Sequence, residues 1–268
     1  MVGSIPSGAV SADLDLALAL ADVSDAITMD RFQAEDLVVD TKPDLTPVTE
    51  ADRAAEEAIR ERLAERHPGD AILGEEYGQS EAGAGTRRWI VDPIDCTKNY
   101  VRGIPVWATL LALQEAEELV VGVISAPALG RRWWAARGEG AYVDDRLRGG
   151  GPRRIGVSGV RTLEDAQLCF SGLDDWKDGG AALMRLAQSC WRSRGYGDFW
   201  PYALLAEGAV DLTCEPVVEL WDLAAPRIVV EEAGGRFTDL GGVPTAAGGD
   251  ALATNGLLHD AALAIIGR

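Results

Sequence analysis

The sequence is poor in the residue types on which several common active sites depend. It has two histidines, His67 and His259, which argues against a histidine-based zinc site and against a Ser-His-Asp triad. Its four cysteines are spread along the chain with no CxxC pair, and this spacing fits a reducing compartment better than a disulfide framework. Any catalysis must therefore draw on other groups.

Basic residues and long apolar runs are also scarce. Lysine and arginine number 25 against 43 aspartates and glutamates, and a net charge of −18 argues against nucleic-acid binding. The same charge would repel an anionic substrate, so phosphate chemistry would need local cations. The longest apolar run, residues 119–129, contains Gly122 and Pro127 and is too short to span a membrane. The N-terminal stretch has no basic region and is interrupted by aspartates, so we predict no signal peptide and a cytoplasmic protein.

The most informative segment is an apolar run followed by Asp-Pro-Ile-Asp-Cys-Thr. The run predicts a buried strand that ends in Asp92 and Asp95, and Pro93 between them prevents a helix and stiffens the turn. The two carboxylates and the Ile94 carbonyl can then converge, and hard oxygens at that density suit Mg²⁺ or Mn²⁺. The Thr97 hydroxyl and the backbone N–H groups that follow it could bind a phosphate. The segment therefore suggests a metal-dependent phosphatase.

Residue periodicity and turn residues predict alternating helices and strands on either side of this segment. Apolar positions at helical spacing predict a first helix over 12–33, and a second helix over 49–66 begins at a threonine N-cap. The glycines and proline at 149–152 form the best boundary in the chain. We predict stacked α/β layers, divided into an N-terminal α+β metal-binding subdomain (1–148) and a C-terminal α/β subdomain (152–268).

Three further carboxylate groups lie at the ends of predicted elements, and each has an ordinary structural explanation. The pair Glu75-Glu76 could be a solvated turn, although the preceding glycine allows close backbone approach. Asp222 could be a helix N-cap, and Asp52 could simply favour the dipole of its helix. Their combination with the Asp-Pro-Ile-Asp segment favours a functional site.

Taken together, these motifs resemble the inositol monophosphatase superfamily of Mg²⁺-dependent, lithium-sensitive phosphatases. The resemblance covers about residues 12–266 and rests on Gly74-Glu75-Glu76, Asp92-Pro-Ile-Asp95-Cys-Thr97, Trp221-Asp222-Leu-Ala-Ala and Glu232-Ala-Gly-Gly235. It implies an αβαβα layered sandwich and a homodimer.

The resemblance also implies a role for each acidic residue. Glu75, Asp92 and the Ile94 carbonyl would hold a first Mg²⁺, and Asp92, Asp95 and Asp222 would hold a second. Glu75 and Asp52 would help to bind a third, looser ion, and Mn²⁺ could substitute. Thr97 and Asp52 would orient the attacking water, with Glu75 completing the catalytic set.

Substrate choice within this superfamily must come from other residues. Inositol-directed members typically carry Gly-Ser-Ala where this chain has Gly197-Asp198-Phe199, and Glu215 matches a position that contacts the leaving group. Two acidic groups suit a cationic leaving group better than a neutral polyol, and histidinol carries an ammonium and an imidazole. Several segments, Arg194 to Phe199 among them, look similar to histidinol-phosphate phosphatases, so we predict this substrate. Asp198 could instead only cap the following helix.

Two other phosphatase activities and one non-catalytic role stay open. An inositol-1-monophosphatase would share the metal chemistry, whereas a phosphoadenosine-phosphate phosphatase should need more basic groups than Arg194 and its few neighbours provide. Cys96 stands where the family has a glycine whose N–H approaches the phosphate. It could be tolerated beside the substrate, could leave an impaired or non-catalytic metal-binding homologue, or could have a lowered pKa and be redox-sensitive.

Overall fold

The computed structural model of the chain describes residues 12–80, 87–173, 175–176 and 180–267. The helices are α1 (Ala12–Arg31), α2 (Glu50–Arg66), α3 (Thr97–Val101), α4 (Ala181–Ser189), α5 (Phe199–Ala206), α6 (Leu220–Glu232) and α7 (His259–Ile266). The strands are β1 (Val39–Thr41), β2 (Pro47–Thr49), β3 (Ala71–Gly74), β4 (Gly78–Gln79), β5 (Arg87–Asp95), β6 (Ala108–Glu115), β7 (Glu118–Ala126), β8 (Arg131–Ala136), β9 (Gly140–Asp145), β10 (Arg153–Ile155), β11 (Gln167–Phe170), β12 (Arg192–Gly195), β13 (Leu212–Glu215), β14 (Arg236–Thr238) and β15 (Ala251–Thr254).

An eight-stranded sheet in the order β10-β9-β8-β7-β6-β5-β3-β4 forms the larger half of the molecule. Successive residues of its strands point to opposite faces, so each face has its own apolar cluster. Trp89 and Leu111 pack with α1 and α2 on one face, whereas Ile90 and Leu110 pack with α5 and α6 on the other. The sheet is therefore buried on both sides.

A five-stranded sheet in the order β12-β11-β13-β15-β14 completes the fold. One face of this sheet packs against α4 and α7 through Leu168, Leu183 and Ala262. Phe237 of β14 and Ala253 of β15 belong to the apolar cluster that also includes residues of α5 and α6. The layers are α1/α2, eight strands, α5/α6, five strands and α4/α7, so the predicted αβαβα sandwich is confirmed.

Helices α1 and α2 occur within two residues of the bounds 12–33 and 49–66 predicted for them. Residues 42–46 form a loop, and the short strands β1 and β2 pair on either side of it and hold it as a hairpin. Strand β10, just beyond the predicted boundary at 149–152, pairs with β9 of the larger sheet, and the two-subdomain division stays a prediction. None of the helices among the described residues is long and apolar enough to cross a membrane.

His259 provides a pH-dependent contribution to stability. It is fully buried, with its ring nitrogens 3.0 Å from Thr238 Oγ1 and 3.1 Å from Thr254 Oγ1. Burial disfavours the charged ring and lowers the pKa of His259 to about 4. The unfolded chain therefore takes up this proton at a higher pH than the folded one. The contribution is present above pH 6.5 and is lost as the pH falls toward 4.

We expect the free energy of unfolding to fall between pH 6.5 and 4 by up to about 2–3 kcal/mol more than in His259→Gln, which cannot titrate. Urea denaturation at several pH values measures both proteins. A difference in stability that stays constant with pH would contradict this account.

Candidate metal centre and active site

The Asp-Pro-Ile-Asp segment forms an irregularity at the end of β5. In the pairing of β5 with β6, the register shifts between Asp92 and Asp95, so that Pro93 and Ile94 together face the single residue Thr109. A bulge of this kind bends a strand and redirects its side chains. Pro93 suits this position because it has no N–H to donate to the ladder.

The bulge brings two carboxylates together with a third from another layer. Each of Asp92, Asp95 and Asp222 contributes one carboxylate oxygen, and these three oxygens lie within 4.8 Å of one another. Asp222 is the third residue of α6, not its N-cap, and its Oδ2 accepts the Glu219 N–H at 2.8 Å. The Phe199 N–H donates to Asp95 Oδ2 at 2.7 Å. Asp95 and Asp222 are thus each oriented by a backbone N–H group at the start of a helix.

The electrostatics of this cluster favour a bound cation. Burial, and then the charge of Glu75, raise the pKa of Asp92 well above its usual range, and burial with Asp198 does the same for Asp95. The pKa of Asp222 rises to about 7, mainly through burial. Asp92 Oδ1 is buried and has no hydrogen-bond donor among the residues that the structure describes. Crowded, buried carboxylates with an unpartnered oxygen fit a divalent metal ion.

The Glu75-Glu76 pair follows β3 and is held by residues distant in sequence. Glu56, fully buried on α2, accepts the Glu76 N–H at 2.8 Å, and a Cβ on Gly74 would lie 2.0 Å from its Oε1. The pair is therefore fixed and partly buried, and burial raises the pKa of Glu76 to about 7. The solvated-turn explanation does not fit this arrangement.

Lys42 is a residue of this site that the sequence analysis missed. Its Nζ lies 2.8 Å from Glu75 Oε1 and 2.6 Å from Glu76 Oε1. Partial burial lowers the pKa of Lys42, but the hydrogen bonds and charges of the two carboxylates have the larger combined effect and raise it. A lysine that directly precedes a proline-containing loop gives no hint of this contact in the sequence, because the contact depends on the β1–β2 hairpin.

Asp52 and Thr97 meet beside the cluster. Thr97 Oγ1 lies 3.1 Å from the Ile94 carbonyl oxygen and 3.5 Å from Asp52 Oδ1. Asp52 Oδ2 accepts the Thr49 N–H at 2.8 Å, so the carboxylate that completes the capping box of α2 also faces the site. Burial raises the pKa of Asp52 to about 6. The structure thus brings together the pair expected to orient a water.

Cys96 and Asp198 form a direct contact between the metal loop and α5. Cys96 has φ 70° and Asp198 has φ 59°, both in the region that favours glycine. The Cys96 thiol donates to Asp198 Oδ2 at 2.8 Å. Burial and the nearby carboxylates raise the pKa of Cys96, so the expectation of a lowered pKa was wrong. A thiol that stays protonated is a poor nucleophile, which argues against redox control.

The remaining predicted substrate contacts fall into two groups. Glu215 is buried, and its oxygens accept the Tyr202 hydroxyl at 2.7 Å and the Asp198 N–H at 3.1 Å. Burial raises the pKa of Glu215 to about 8. It therefore supports the turn that carries Asp198. Arg194, by contrast, is exposed on β12 and its Nη1 donates to the Ser193 carbonyl.

Comparison with known proteins agrees with this geometry. Residues 11–266 match the Inositol monophosphatase family. This chain belongs to that family. The histidinol-phosphatase of Streptomyces coelicolor is 54% identical over 96% of this chain and 97% of its own length. That of Mycobacterium tuberculosis is 57% identical over 94% of this chain and 96% of its own length.

Solved structures of the inositol monophosphatase family share the fold. The IMPase of Thermotoga maritima superposes with a TM-score of 0.84 and 31% identity over 96% of this chain and 97% of its own. The predicted family is confirmed. Members of the inositol monophosphatase family depend on metal ions, and the carboxylate cluster fits that dependence. The roles assigned to individual residues stay predictions.

Proposed function

We propose that this chain is a Mg²⁺-dependent phosphomonoesterase that hydrolyses histidinol phosphate to histidinol and phosphate. The observation that carries the proposal is the identity of 54–57% to two histidinol-phosphatases over at least 94% of the chain. Identity to the solved IMPase is 31%, so inositol 1-phosphate is the second candidate substrate. The carboxylate cluster is complete despite Cys96, which supports a catalytic over a non-catalytic protein.

The metal assignment uses the residues that the fold collects around β5. Glu75, Asp92 and the Ile94 carbonyl would hold one Mg²⁺, and Asp92, Asp95 and Asp222 a second. A third ion would use Glu75 and Asp52, with Mn²⁺ as a substitute. Bound Mg²⁺ would lower the pKa of a water and neutralise charge on the phosphate.

The other residues of the site would position the reacting groups. Thr97 and Asp52, 3.5 Å apart, would hold the attacking water. Lys42 lies against Glu75 and Glu76, and its positive charge would offset the repulsion that an acidic site exerts on a phosphate ester. Arg194 is exposed, so we assign it at most a peripheral contact with the substrate.

Asp198 is the residue that would select histidinol. Its carboxylate is part-buried beside Asp95, and Glu215 fixes its backbone from behind. A carboxylate there would attract the ammonium of histidinol, whereas a neutral polyol gains nothing from its charge. The proposal also includes a homodimer, a cytoplasmic location and the two subdomains predicted from the sequence.

Metal removal tests the proposed catalysis. We expect phosphate release from histidinol phosphate in the presence of Mg²⁺, no release after EDTA treatment, and recovery when Mg²⁺ or Mn²⁺ is restored. A colorimetric phosphate assay follows each step. Hydrolysis that continues in EDTA at the original rate would contradict a metal-dependent site.

Cys96→Gly tests the change at the glycine position. Glycine adopts φ 70° without the penalty of roughly 1 kcal/mol that a side chain incurs there. We therefore expect kcat/KM for the phosphate ester to be equal to or higher than that of the wild type, and the Tm not to fall. Steady-state kinetics and thermal unfolding measure both. Loss of turnover would mean that the thiol itself takes part in function.

A further inference from the structure

A chain of buried hydroxyl groups connects α1 to the Asp-Pro-Ile-Asp bulge. Thr109 Oγ1 lies 2.8 Å from the Pro93 carbonyl oxygen and 2.7 Å from Ser24 Oγ. Neither Ser24 nor Thr109 has exposed surface. A carbonyl oxygen can only accept, so Thr109 donates to Pro93 and Ser24 donates to Thr109.

Thr109 is the residue of β6 that lies opposite the bulge in β5. It is the one residue that faces both Pro93 and Ile94, where the ladder of backbone hydrogen bonds is interrupted. A buried carbonyl without a donor is costly, and the Thr109 hydroxyl supplies the bond that a regular ladder would provide. The shape of the bulge, which sets the separation of Asp92 and Asp95, thus depends on a side chain that contacts neither carboxylate in the hydrogen-bond network.

Helix α1 also holds the segment that follows the metal loop. The Tyr100 hydroxyl donates to the Thr28 carbonyl at 2.7 Å, and Thr28 Oγ1 donates to the Ser24 carbonyl at 2.8 Å. All of these groups are buried. One turn of α1 therefore fixes the loop on both sides, through Thr109 before Ile94 and through Tyr100 after Thr97.

We propose that Thr109, oriented by Ser24, is a positioning residue that sets the Mg²⁺ affinity of the centre by holding the Pro93 carbonyl. Outer groups that orient metal ligands change affinity when they are lost, because the ligand oxygens no longer converge. The inference rests on the proposed metal centre but not on the identity of the phosphate ester.

Thr109→Val tests this directly, since valine keeps the shape of threonine and replaces its hydroxyl with a methyl group that cannot donate. We expect the Kd for Mg²⁺, measured by calorimetry without substrate, to rise by about tenfold or more. Activity should recover at high Mg²⁺ with little change in KM for the ester. Thr109→Ser, which restores the donor, should return the Kd close to the wild-type value.

Ser125→Ala is the matched control. Ser125 faces Thr109 across β6 and β7, is buried, and donates to Asp25 of α1 at 2.9 Å. Its loss should lower the Tm but leave the Kd for Mg²⁺ unchanged, because this hydroxyl does not reach Pro93. If Thr109→Val does not fold, Thr109→Ala serves with the same expectation.

The outcomes separate this inference from the proposed function. Wild-type Mg²⁺ affinity in the Thr109 variant, or an equal loss of affinity in Ser125→Ala, would overturn the positioning role. Absence of Mg²⁺ binding by the wild-type protein would instead overturn the metal centre itself.

Discussion

Replacing Asp95 by asparagine is expected to reduce kcat for phosphate release by more than about a hundredfold, since the loss of outer partners alone costs 10- to 100-fold at metal sites. Asp95 shares the three-carboxylate cluster and would ligate the second ion. The asparagine side-chain oxygen can still accept the Phe199 N–H, so the turn before α5 should be kept. The loss would therefore reflect the ligand and not the fold.

Thermal unfolding gives an independent signature of the same variant. Burial and neighbouring carboxylates raise the pKa of Asp95, so its charge opposes folding when no metal ion is bound. We expect Asp95→Asn to have a higher Tm than the wild type in EDTA and a much smaller increase on addition of Mg²⁺. Full activity, or an unchanged Mg²⁺-dependent increase in Tm, would contradict the assignment of Asp95 as a ligand.

Asp198→Ser is expected to lower kcat/KM for histidinol phosphate by about 10- to 100-fold, the value of a hydrogen bond between charged groups. The carboxylate lies beside the metal cluster, and Glu215 accepts the Asp198 N–H at 3.1 Å, so the protein positions it before substrate binds. The leaving group of inositol 1-phosphate is an uncharged polyol that forms no ion pair with Asp198, so kcat/KM for this ester should change much less.

Asp198→Asn is the control for shape and backbone strain. Asparagine tolerates φ 59° about as well as aspartate, so Asp198→Asn changes the charge without adding backbone strain. Asparagine keeps an acceptor for Cys96 but has no charge. Its kcat/KM for histidinol phosphate should therefore fall as in Asp198→Ser. Equal losses for both esters in both variants would show that Asp198 does not recognise a cation.

The layered fold was predictable because the local signals in this chain agree with the global arrangement. Thr49 caps α2, which ends at Arg66 as predicted, and the apolar run before Asp92 lies in the buried part of β5. Strands β1 and β2 were not predicted, because three residues are too few to show the alternation of apolar and polar positions that indicates a strand.

The carboxylates of the site could be chosen from the sequence, but their supports could not. Asp92 and Asp95 belong to one segment, and the family resemblance added Glu75 and Asp222. Thr109 and the contact of Cys96 with Asp198 depend on tertiary pairing, in the second case across 102 positions. The sequence leaves a lowered pKa of Cys96 open, because the burial of the thiol against Asp198 is not visible in it.

The most direct test of the proposed function is the ratio of kcat/KM for histidinol phosphate to that for inositol 1-phosphate, measured on the wild-type protein with saturating Mg²⁺. The account predicts a ratio well above one, and a loss of both activities in EDTA. A ratio at or below one with intact metal dependence would contradict the proposed substrate, and no hydrolysis of either ester would contradict the proposed phosphomonoesterase activity.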